Sequence, residues 1–350
     1  MPARVITYAQ AIKEAMSEEM RRDPDVFFMG EDIGAYCGAF GVSGGMLEEF
    51  GPERVRDTPI SENAFVGAAV GAALTGMRPI VEVMFSDFVS VCFDHILNQA
   101  PKMRYMSGGK ASVPMVLRTP SGGGTGAAAQ HSQSLEAFFA HIPGLKVVAP
   151  STPYDAKGLL KSAIRDDNPV IFLEQKLLYN TKGFVPEKDY AIPLGQADIK
   201  RAGNDCSVIT YGRMLHLCVA AAEKLAQEGI SAEVIDIRSL LPLDVDTLIR
   251  SVKKTGHCVI VHEAVKFAGF GGELAAAINE SDAFYYLDAP VRRLGAVSAP
   301  IPVNPVLEKN CFPTAEGIAS AIRETVSSPN YRKLMVARNR PLPVIRAAMM

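Results

Sequence analysis

Glu62 is a candidate catalytic residue, because a run of small side chains follows it in the sequence. It heads the segment ENAFVGAAVGAAL at residues 62–74, in which most side chains are Ala, Gly or Val. Such small residues let another backbone or a flat ring approach closely, and Gly67 and Gly71 each weaken an isolated helix by about 1 kcal/mol unless packing compensates. We therefore expect the Glu62 carboxylate to meet a buried partner. The simpler alternative is that Ser61 is an N-cap and Glu62 a favourable first-turn acid.

His131 is the second candidate, because it follows a glycine run that cannot form a regular element. The run is PSGGGTG at residues 120–126, and the neighbours of His131 are polar. A polar histidine after a glycine loop at the edge of a sheet is a candidate acid or base. The alternative is that Gln130 and His131 only cap a helix over residues 134–140. The pattern alone supports the two interpretations equally.

Other catalytic and cofactor patterns are weak in this chain. No pair of the six histidines has metal-site i,i+4 spacing together with a third ligand, so we do not expect a catalytic metal. The string GVSGG at residues 41–45 fits GxSxG, but it lies in a glycine-rich loop with no predicted strand directly before it, so we do not expect a nucleophile elbow. No P-loop occurs. The stretch GAFGVSGG at residues 38–45 departs from GxGxxG. It therefore gives little support to one alternative, a nicotinamide-dependent dehydrogenase or a non-catalytic α/β binding subunit.

Composition indicates a protein of the reducing cytoplasm with two domains. The 350 residues suggest about two domains, and the net charge of −2 gives no electrostatic reason to bind nucleic acid or a membrane surface. The apolar run around residues 64–74 is too short and too glycine-rich to span a bilayer, and the N-terminus lacks a signal-peptide core. The six cysteines are scattered without a CxxC pair, which argues against zinc and disulfides.

The pattern of the first half predicts alternating strands and helices. Thr7 and Gln10 form a capping box ahead of the first helix. Strands are expected at residues 26–29, 80–84, 114–118, 146–149 and 170–173, and helices at residues 89–106 and 155–165. Such alternation indicates a mostly parallel sheet, and ligands bind at the carboxyl ends of its strands.

A second alternating unit follows a stretch without periodicity. Its strands are expected at residues 206–211, 232–237, 257–262 and 291–295, and its helices at residues 213–228, 244–254, 271–280 and 314–326. The strands are continuous and β-branched, as is typical of strands buried on both faces. We therefore divide the chain into an α/β domain at residues 1–180, a linker at 181–205, a second α/β domain at 206–326 and a tail at 327–350.

Five ordered blocks give the chain a resemblance to a known family. They are GEDIG (residues 30–34), RVRDTPISENAFVGAAVGAAL (54–74), AAQHSQ (128–133), the block from PGLKVV to IFLE (143–174) and EVIDIRSLLPLD (233–244). Over residues 4–326 the chain resembles the β subunit of the thiamine-diphosphate-dependent 2-oxo acid dehydrogenases, the decarboxylating first component of those complexes. The resemblance implies two doubly wound α/β domains, a transketolase-like pyrimidine-binding domain followed by a transketolase C-terminal-like domain.

The resemblance also implies roles for the residues of the site. The family glutamate that matches Glu62 binds the aminopyrimidine ring of the cofactor and exchanges a proton with a ring nitrogen, a task suited to a carboxyl in an apolar setting. Phe88 matches the aromatic residue that packs against this ring, and Ile60 and Met84 match its apolar walls. His131 matches the histidine that faces the substrate-derived intermediate during transfer to the lipoyl arm.

A structural potassium ion is a further implication of the resemblance. Its ligands here would be the side chains of Asp166 and Asn168 and the backbone carbonyls of Met115, Ala163 and Ile164. A run of Asp, Asp, Asn and Pro is otherwise an ordinary turn.

The family motif for the cofactor diphosphate is missing from the sequence. No GDG occurs, and the family places that motif, with its magnesium, on an α subunit. The resemblance therefore implies an α2β2 assembly docked on a lipoyl-bearing acyltransferase core, with the second domain serving subunit contacts and docking. The blocks RYMSGGKAS and IFLEQKLLY are similar to pyruvate- or acetoin-type members. The alternatives are a branched-chain 2-oxo acid substrate and a transketolase-like single-chain enzyme, which would need its own diphosphate motif.

Overall fold

A computed structural model describes residues 4–328 of the chain, which form two α/β sheets and a short ribbon. The strands are β1 (Val5–Thr7), β2 (Val26–Gly30), β3 (Val55–Asp57), β4 (Arg78–Glu82), β5 (Val116–Ser121), β6 (Lys146–Val148), β7 (Val170–Gln175), β8 (Lys182–Phe184), β9 (Asp198–Arg201), β10 (Cys206–Thr210), β11 (Ala232–Asp236), β12 (Ser239–Leu241), β13 (Cys258–Val265) and β14 (Arg292–Ala296).

Helices cover both faces of the sheets. They are α1 (Tyr8–Arg22), α2 (Met46–Phe50), α3 (Glu62–Leu74), α4 (Met103–Met106), α5 (Glu136–Ala140), α6 (Pro153–Arg165), α7 (Met214–Ala226), α8 (Val245–Thr255), α9 (Gly271–Asn279), α10 (Pro305–Lys309) and α11 (Ala315–Val326). Among the described residues, every helix is too short or too polar to cross a membrane.

The first sheet has, within the described residues, seven strands in the order β12-β6-β7-β5-β4-β2-β3. All of its neighbours pair in parallel except β12 and β6. Every residue of β2, β5 and β7 is buried, because α1 and α6 cover one face and α3 covers the other. This layering confirms the predicted α/β class.

The second sheet, in the same part of the chain, has five strands in the order β14-β13-β10-β11-β9. The first four pair in parallel, and β9 is antiparallel at the edge. Helices α7 and α11 pack on one face, while α8 and α9 pack on the other and join the core of the first unit.

The start of α1 confirms a local prediction. Thr7 accepts a hydrogen bond at Oγ1 from Gln10 N at 3.1 Å, and Thr7 N donates to Gln10 Oε1 at 2.8 Å. This reciprocal capping box satisfies two backbone donors that the helix leaves unpaired. Downstream, the fully buried Ile12 lies in one core cluster with Leu160 of α6.

The predicted single helix over residues 89–106 is wrong. The structure has a 3₁₀ segment at Ser86–Ser90, a π-helical turn at His95–Gln99 and then α4. A Cβ on Gly67 of α3 would lie 2.7 Å from the His95 ring, so these two elements approach very closely where the register changes. Pro101, two residues after Gln99, lacks a backbone N–H and cannot donate an α-helical hydrogen bond.

The stretch predicted as a linker, residues 181–205, is not irregular throughout. It contains β8, which pairs with β1, and β9, which belongs to the second sheet. Strand β12, which follows β11 of the second sheet in the chain, pairs instead with β6 at the edge of the first sheet. The two units are therefore interlocked through edge strands. From residue 329 onward, the predicted tail lies outside the described residues.

Candidate functional site

The candidate site lies at the carboxyl ends of three adjacent parallel strands of the first sheet. Glu31 follows β2, the segment of residues 83–88 follows β4, and the glycine run at residues 122–126 follows β5. Because these strands run in parallel, their carboxyl ends meet at one edge, where open α/β sheets bind ligands. Helix α3 begins at Glu62, which follows β3 at the same edge.

Glu62 is a buried acid at the first position of a helix made of small residues. Its relative exposure is 8%, and Phe65 and Val66 behind it are also buried. Ser61 occupies the N-cap position, but its side chain makes no capping hydrogen bond. The structure therefore has Ser61 as the N-cap residue and Glu62 as a first-turn acid, as the simpler alternative expects, but without a hydrogen bond from the helix to the Ser61 side chain.

Glu31 is a functional candidate that we did not select from the sequence. Burial first, and then the nearby charge of Glu62, raise the pKa of Glu31. Its Oε1 is buried without a hydrogen-bond partner in the described chain. Burial, followed by Glu62 and Glu31, also raises the pKa of the Cys92 thiol to about 12. The GEDIG block contained the signal, because it places an acid at the end of a strand.

The ring of His131 packs between two aromatic side chains. Its centroid lies 4.9 Å from that of Phe85 and 5.2 Å from that of Phe88, at interplanar angles of 80° and 83°. Phe85 and Phe88 contact each other edge to face at 5.7 Å. Edge-to-face contacts of this kind fix ring orientation. Helix α5 has Leu135 at its N-cap with no side-chain cap, so the alternative in which His131 caps a helix is wrong.

The loop that carries His131 is tied at its base to the segment that carries Phe88. Gly122 N donates to Gln133 O at 3.0 Å, which closes the loop. Gln133 in turn donates to Asp87 Oδ1 from its backbone N at 3.1 Å and from Nε2 at 2.8 Å. Lys176 donates to the carbonyl of His131, and burial lowers the pKa of this lysine.

The four residues expected at the pyrimidine ring differ in exposure. Glu62 is buried, and Met84 and Phe88 are half-buried at the same sheet edge. Ile60 is 85% exposed, two residues before Glu62. A large apolar side chain so exposed beside a buried acid is available for contact with a ligand or a partner chain.

A buried ion-pair network joins strands β4, β5 and β7 of the first sheet. Arg118 is 1% exposed and donates to Glu174 from Nε at 2.6 Å and from Nη2 at 2.9 Å, and to Glu82 from Nη1 at 2.8 Å. Tyr179 donates its hydroxyl to Glu174 at 2.7 Å. A buried polar network in which every member is paired makes its surroundings rigid. Removal of one member would leave an uncompensated buried charge, which is strongly destabilising.

An aromatic chain links this network to His131. Tyr179 stacks on Phe40 with centroids 5.0 Å apart, and Phe40 contacts Phe85 at 5.8 Å. Phe85 then contacts His131. The glycine-rich stretch at residues 38–45 therefore contributes Phe40 to this aromatic chain.

The turn between α6 and β7 brings together the residues expected to hold potassium. Met115 O accepts from Val170 N at 2.9 Å, which places this carbonyl beside the turn. Asp166 N donates to Ala163 O at 3.3 Å, and Asn168 donates to Asp166 Oδ1 from N and from Nδ2, both at 2.9 Å. Carbonyl, carboxylate and amide oxygens are the donor atoms that hard cations prefer.

Two basic side chains also reach this turn. Arg78 donates to Ile164 O at 3.0 Å and to Asp166 O at 2.8 Å, and Lys146 donates to Asp166 Oδ2. A monovalent cation at the turn would therefore share these oxygens with Arg78 and Lys146.

Comparison with family models matches both units. The transketolase pyrimidine-binding domain matches residues 4–182, and the transketolase C-terminal domain matches residues 195–318. A solved structure described as a split-gene transketolase, an inactive β4 tetramer, superposes with a TM-score of 0.76 at 23% identity, covering 92% of this chain and 98% of that chain. The chain and that protein therefore share a fold.

Curated relatives are similar over almost their full length. The β subunit of acetoin:2,6-dichlorophenolindophenol oxidoreductase from Bacillus subtilis is 48% identical, covering 93% of this chain and 99% of that protein. The pyruvate dehydrogenase E1 component β subunit of Rickettsia felis is 49% identical, covering 91% and 98%. The 2-oxoisovalerate dehydrogenase β subunit of Bacillus subtilis is 48% identical, again covering 91% and 98%. This chain belongs to the family of 2-oxo acid and acetoin dehydrogenase β subunits, which is built from transketolase pyrimidine-binding and C-terminal domains.

Proposed function

We propose that this chain supplies half of the active site of a thiamine-diphosphate-dependent dehydrogenase component that decarboxylates pyruvate or cleaves acetoin. The observation that carries the proposal is the convergence of Glu62, Phe88 and His131 at one sheet edge. A buried carboxyl, an aromatic wall and a polar histidine are the groups that such a site needs. A branched-chain 2-oxo acid is the alternative substrate, since a 2-oxoisovalerate dehydrogenase β subunit is equally similar at 48% identity.

The residues around Glu62 fit the aminopyrimidine end of the cofactor. Beside Glu62, the buried Oε1 of Glu31 has no hydrogen-bond partner among the described residues, so it is available to bond a polar group of a ligand. Met84 and Phe88 provide half-buried apolar walls. The exposed Ile60 is available to close the site. When bound, thiamine diphosphate supplies the electron sink for breaking a bond at the substrate carbonyl carbon. Glu62 would hydrogen-bond a nitrogen of the pyrimidine ring through its carboxyl group and take part in proton exchange at that atom.

His131 is assigned to the transfer half of the reaction. Its ring is held by Phe85 and Phe88, while its backbone carbonyl accepts from Lys176. An imidazole fixed in this way can give a proton or a hydrogen bond to the substrate-derived oxygen while the acyl group passes to a lipoyl sulfur.

The other half of the site is assigned to an α subunit. It would hold the diphosphate through magnesium, for which the sequence of this chain has no GDG motif. The face of α3 that carries Ala64, Ala68 and Gly71 is exposed and made of small side chains, which permits close contact with another chain. We propose an α2β2 assembly that delivers acyl groups to a lipoyl-bearing acyltransferase core, on which the second domain docks.

A potassium ion at the turn of Asp166 and Asn168 is the last part of the proposal. It would be held by these side chains and by the carbonyls of Met115, Ala163 and Ile164, and it would stabilise the start of β7. Arg78 and Lys146 compete for the same oxygens, so we expect the affinity to depend on their charge.

Co-expression with the α chain, followed by a substrate panel, tests the function. Pyruvate, acetoin and 2-oxoisovalerate would each be supplied to the assembled enzyme with thiamine diphosphate, magnesium and an artificial electron acceptor. We expect acceptor reduction with pyruvate or acetoin, and weaker reduction with 2-oxoisovalerate. Reduction with none of the three, in an assembled and correctly folded enzyme, would contradict the proposal.

A further inference from the structure

The apex of the His131 loop is held by two carboxylates from the second unit. Glu308 of α10 accepts from Gly124 N at 2.7 Å and from Gly126 N at 3.0 Å. Glu263 of β13 accepts from Gly123 N at 2.8 Å. Both acids are 3% exposed. Hydrogen bonds from backbone N–H groups to a carboxylate are among the stronger ones in proteins, and buried carboxylates of this kind fix a segment in place.

The glycines of this loop are required by these contacts. Gly122, Gly124 and Gly126 have φ values of +85°, +94° and +70°, in the left-handed region. A Cβ on Gly123 would lie 2.4 Å from the Phe312 ring. The loop is therefore shaped to fit against the second unit, although it belongs to the first sheet.

The other hydrogen bonds of the loop in the described chain hold its base and the carbonyl of His131, not its apex. Gln133 and Asp87 fix the base, and Lys176 fixes the carbonyl of His131. Between Gly122 and His131, the carboxylates of Glu263 and Glu308 are the charged groups that the backbone N–H groups contact in the described chain.

We propose that Glu308 is a positioning residue for His131: its carboxylate sets the conformation of the glycine loop and thereby the place of the imidazole during acyl transfer. The inference rests on the transfer role proposed for His131. It gives the second unit a part in the reaction besides subunit contacts and docking. Within the described chain, Glu308 accepts from two N–H groups of the loop, and its charge also acts on Lys176, which donates to the carbonyl of His131. Both routes reach the imidazole through the backbone of residues 122–133.

The test is the variant Glu308→Gln in the assembled α and β enzyme. The amide offers one acceptor oxygen where the carboxylate offers two, so one of the two loop N–H groups loses its partner. We expect the rate of acyl transfer to a lipoyl domain to fall about 10- to 100-fold, because even a small misplacement of a reacting group slows a reaction by this much. The rate of reduction of an artificial acceptor should change less than about twofold. Hydrogen exchange, read by mass spectrometry, should become faster in residues 122–133.

A double variant and a control make the result specific. If Glu308 acts through His131, then Glu308→Gln adds nothing to the transfer defect of His131→Ala. The control, Glu316→Gln, removes an exposed acid from the first turn of α11 and should leave both assays and the exchange rates unchanged. Should Glu308→Gln fail to assemble, Glu308→Asp keeps the charge but shortens the side chain, and an intermediate transfer defect is expected.

Three outcomes would overturn the inference. They are an equal loss in both assays, unchanged hydrogen exchange in the loop, and defects that add in the double variant. Failure of the proposed function looks different: His131→Ala itself would then leave acyl transfer intact, whatever Glu308→Gln does to loop exchange.

Discussion

The ring of His131 lies 5.2 Å from the ring of Phe88, centroid to centroid, at an interplanar angle of 83°. The two residues come from segments that follow different strands, β5 and β4. One is expected to face the substrate and the other to pack against the cofactor ring. With these proposed roles, the direct contact of the two rings would couple the cofactor-binding surface to the position of the imidazole.

Phe88→Ala should weaken cofactor binding in the assembled enzyme. The ring contact is worth about 0.5–1.5 kcal/mol, so the affinity for thiamine diphosphate should fall by about 2- to 12-fold. Titration of activity against cofactor concentration measures this change. Phe138→Ala is the control, since that ring is 58% exposed on α5. An unchanged cofactor affinity for Phe88→Ala would argue against the assigned wall.

Glu62→Gln should preserve the fold and cofactor binding but remove most turnover. The amide cannot exchange the proton that the carboxyl exchanges, and loss of an acid or base group costs about 10²- to 10⁴-fold in rate. Exchange of the cofactor's thiazolium proton, followed by NMR, should slow in parallel. The control is Glu53→Gln, an exposed acid outside the site. Exchange at the wild-type rate in Glu62→Gln would refute the assignment.

His131→Ala should separate two steps of the reaction. Transfer to a lipoyl domain should fall by about 10²-fold or more, while reduction of an artificial acceptor should fall much less. The two assays would be run side by side on the same preparation. His141→Ala, at the exposed end of α5, should change neither rate. Equal losses in the two assays would contradict a role confined to transfer.

Stability should depend on pH through a buried acid between the two units. Burial, followed by the nearby charge of Asp155, raises the pKa of Asp236 from 3.8 to about 8. Because the folded state holds this proton more tightly than the unfolded state, the contribution of Asp236 to stability is greatest below about pH 4 and is lost as pH rises to about 8.

Asp236→Asn removes this contribution. The thermal midpoint of the variant minus that of the wild type should therefore increase between pH 5 and pH 8, as measured by circular dichroism. Asp25→Asn, at an exposed position before β2, is the control and should show a constant difference. A difference for Asp236→Asn that does not change with pH would refute the assigned titration.

Features that depend on nearby residues or on the alternation of strands and helices were predictable from the sequence. The capping box of Thr7 and Gln10 needs only residues three apart, and it forms as predicted. The convergence of Glu62, Phe88 and His131 follows from the alternation of strands and helices, since parallel strands align their carboxyl ends. For the same reason the fold class was predictable from pattern and resemblance together.

Features that depend on tertiary contact were not predictable in this way. Glu308 is separated from Gly124 by 184 residues, and no local pattern marks it as a loop anchor. The π-helical turn at His95–Gln99 arises beside Gly67 of another helix, although Pro101 was a signal that one helix could not continue over residues 89–106. The pairing of β12 with β6 of the first sheet likewise depends on how the two units pack together.

The central claim is that this chain holds one half of a thiamine site that a partner completes. Calorimetric titration with thiamine diphosphate and magnesium, on the isolated chain and on the chain assembled with its α subunit, tests it most directly. We expect weak or no binding and no decarboxylation by the isolated chain, and high affinity together with activity after assembly. Tight binding of the cofactor and decarboxylation by the isolated chain alone would contradict the account.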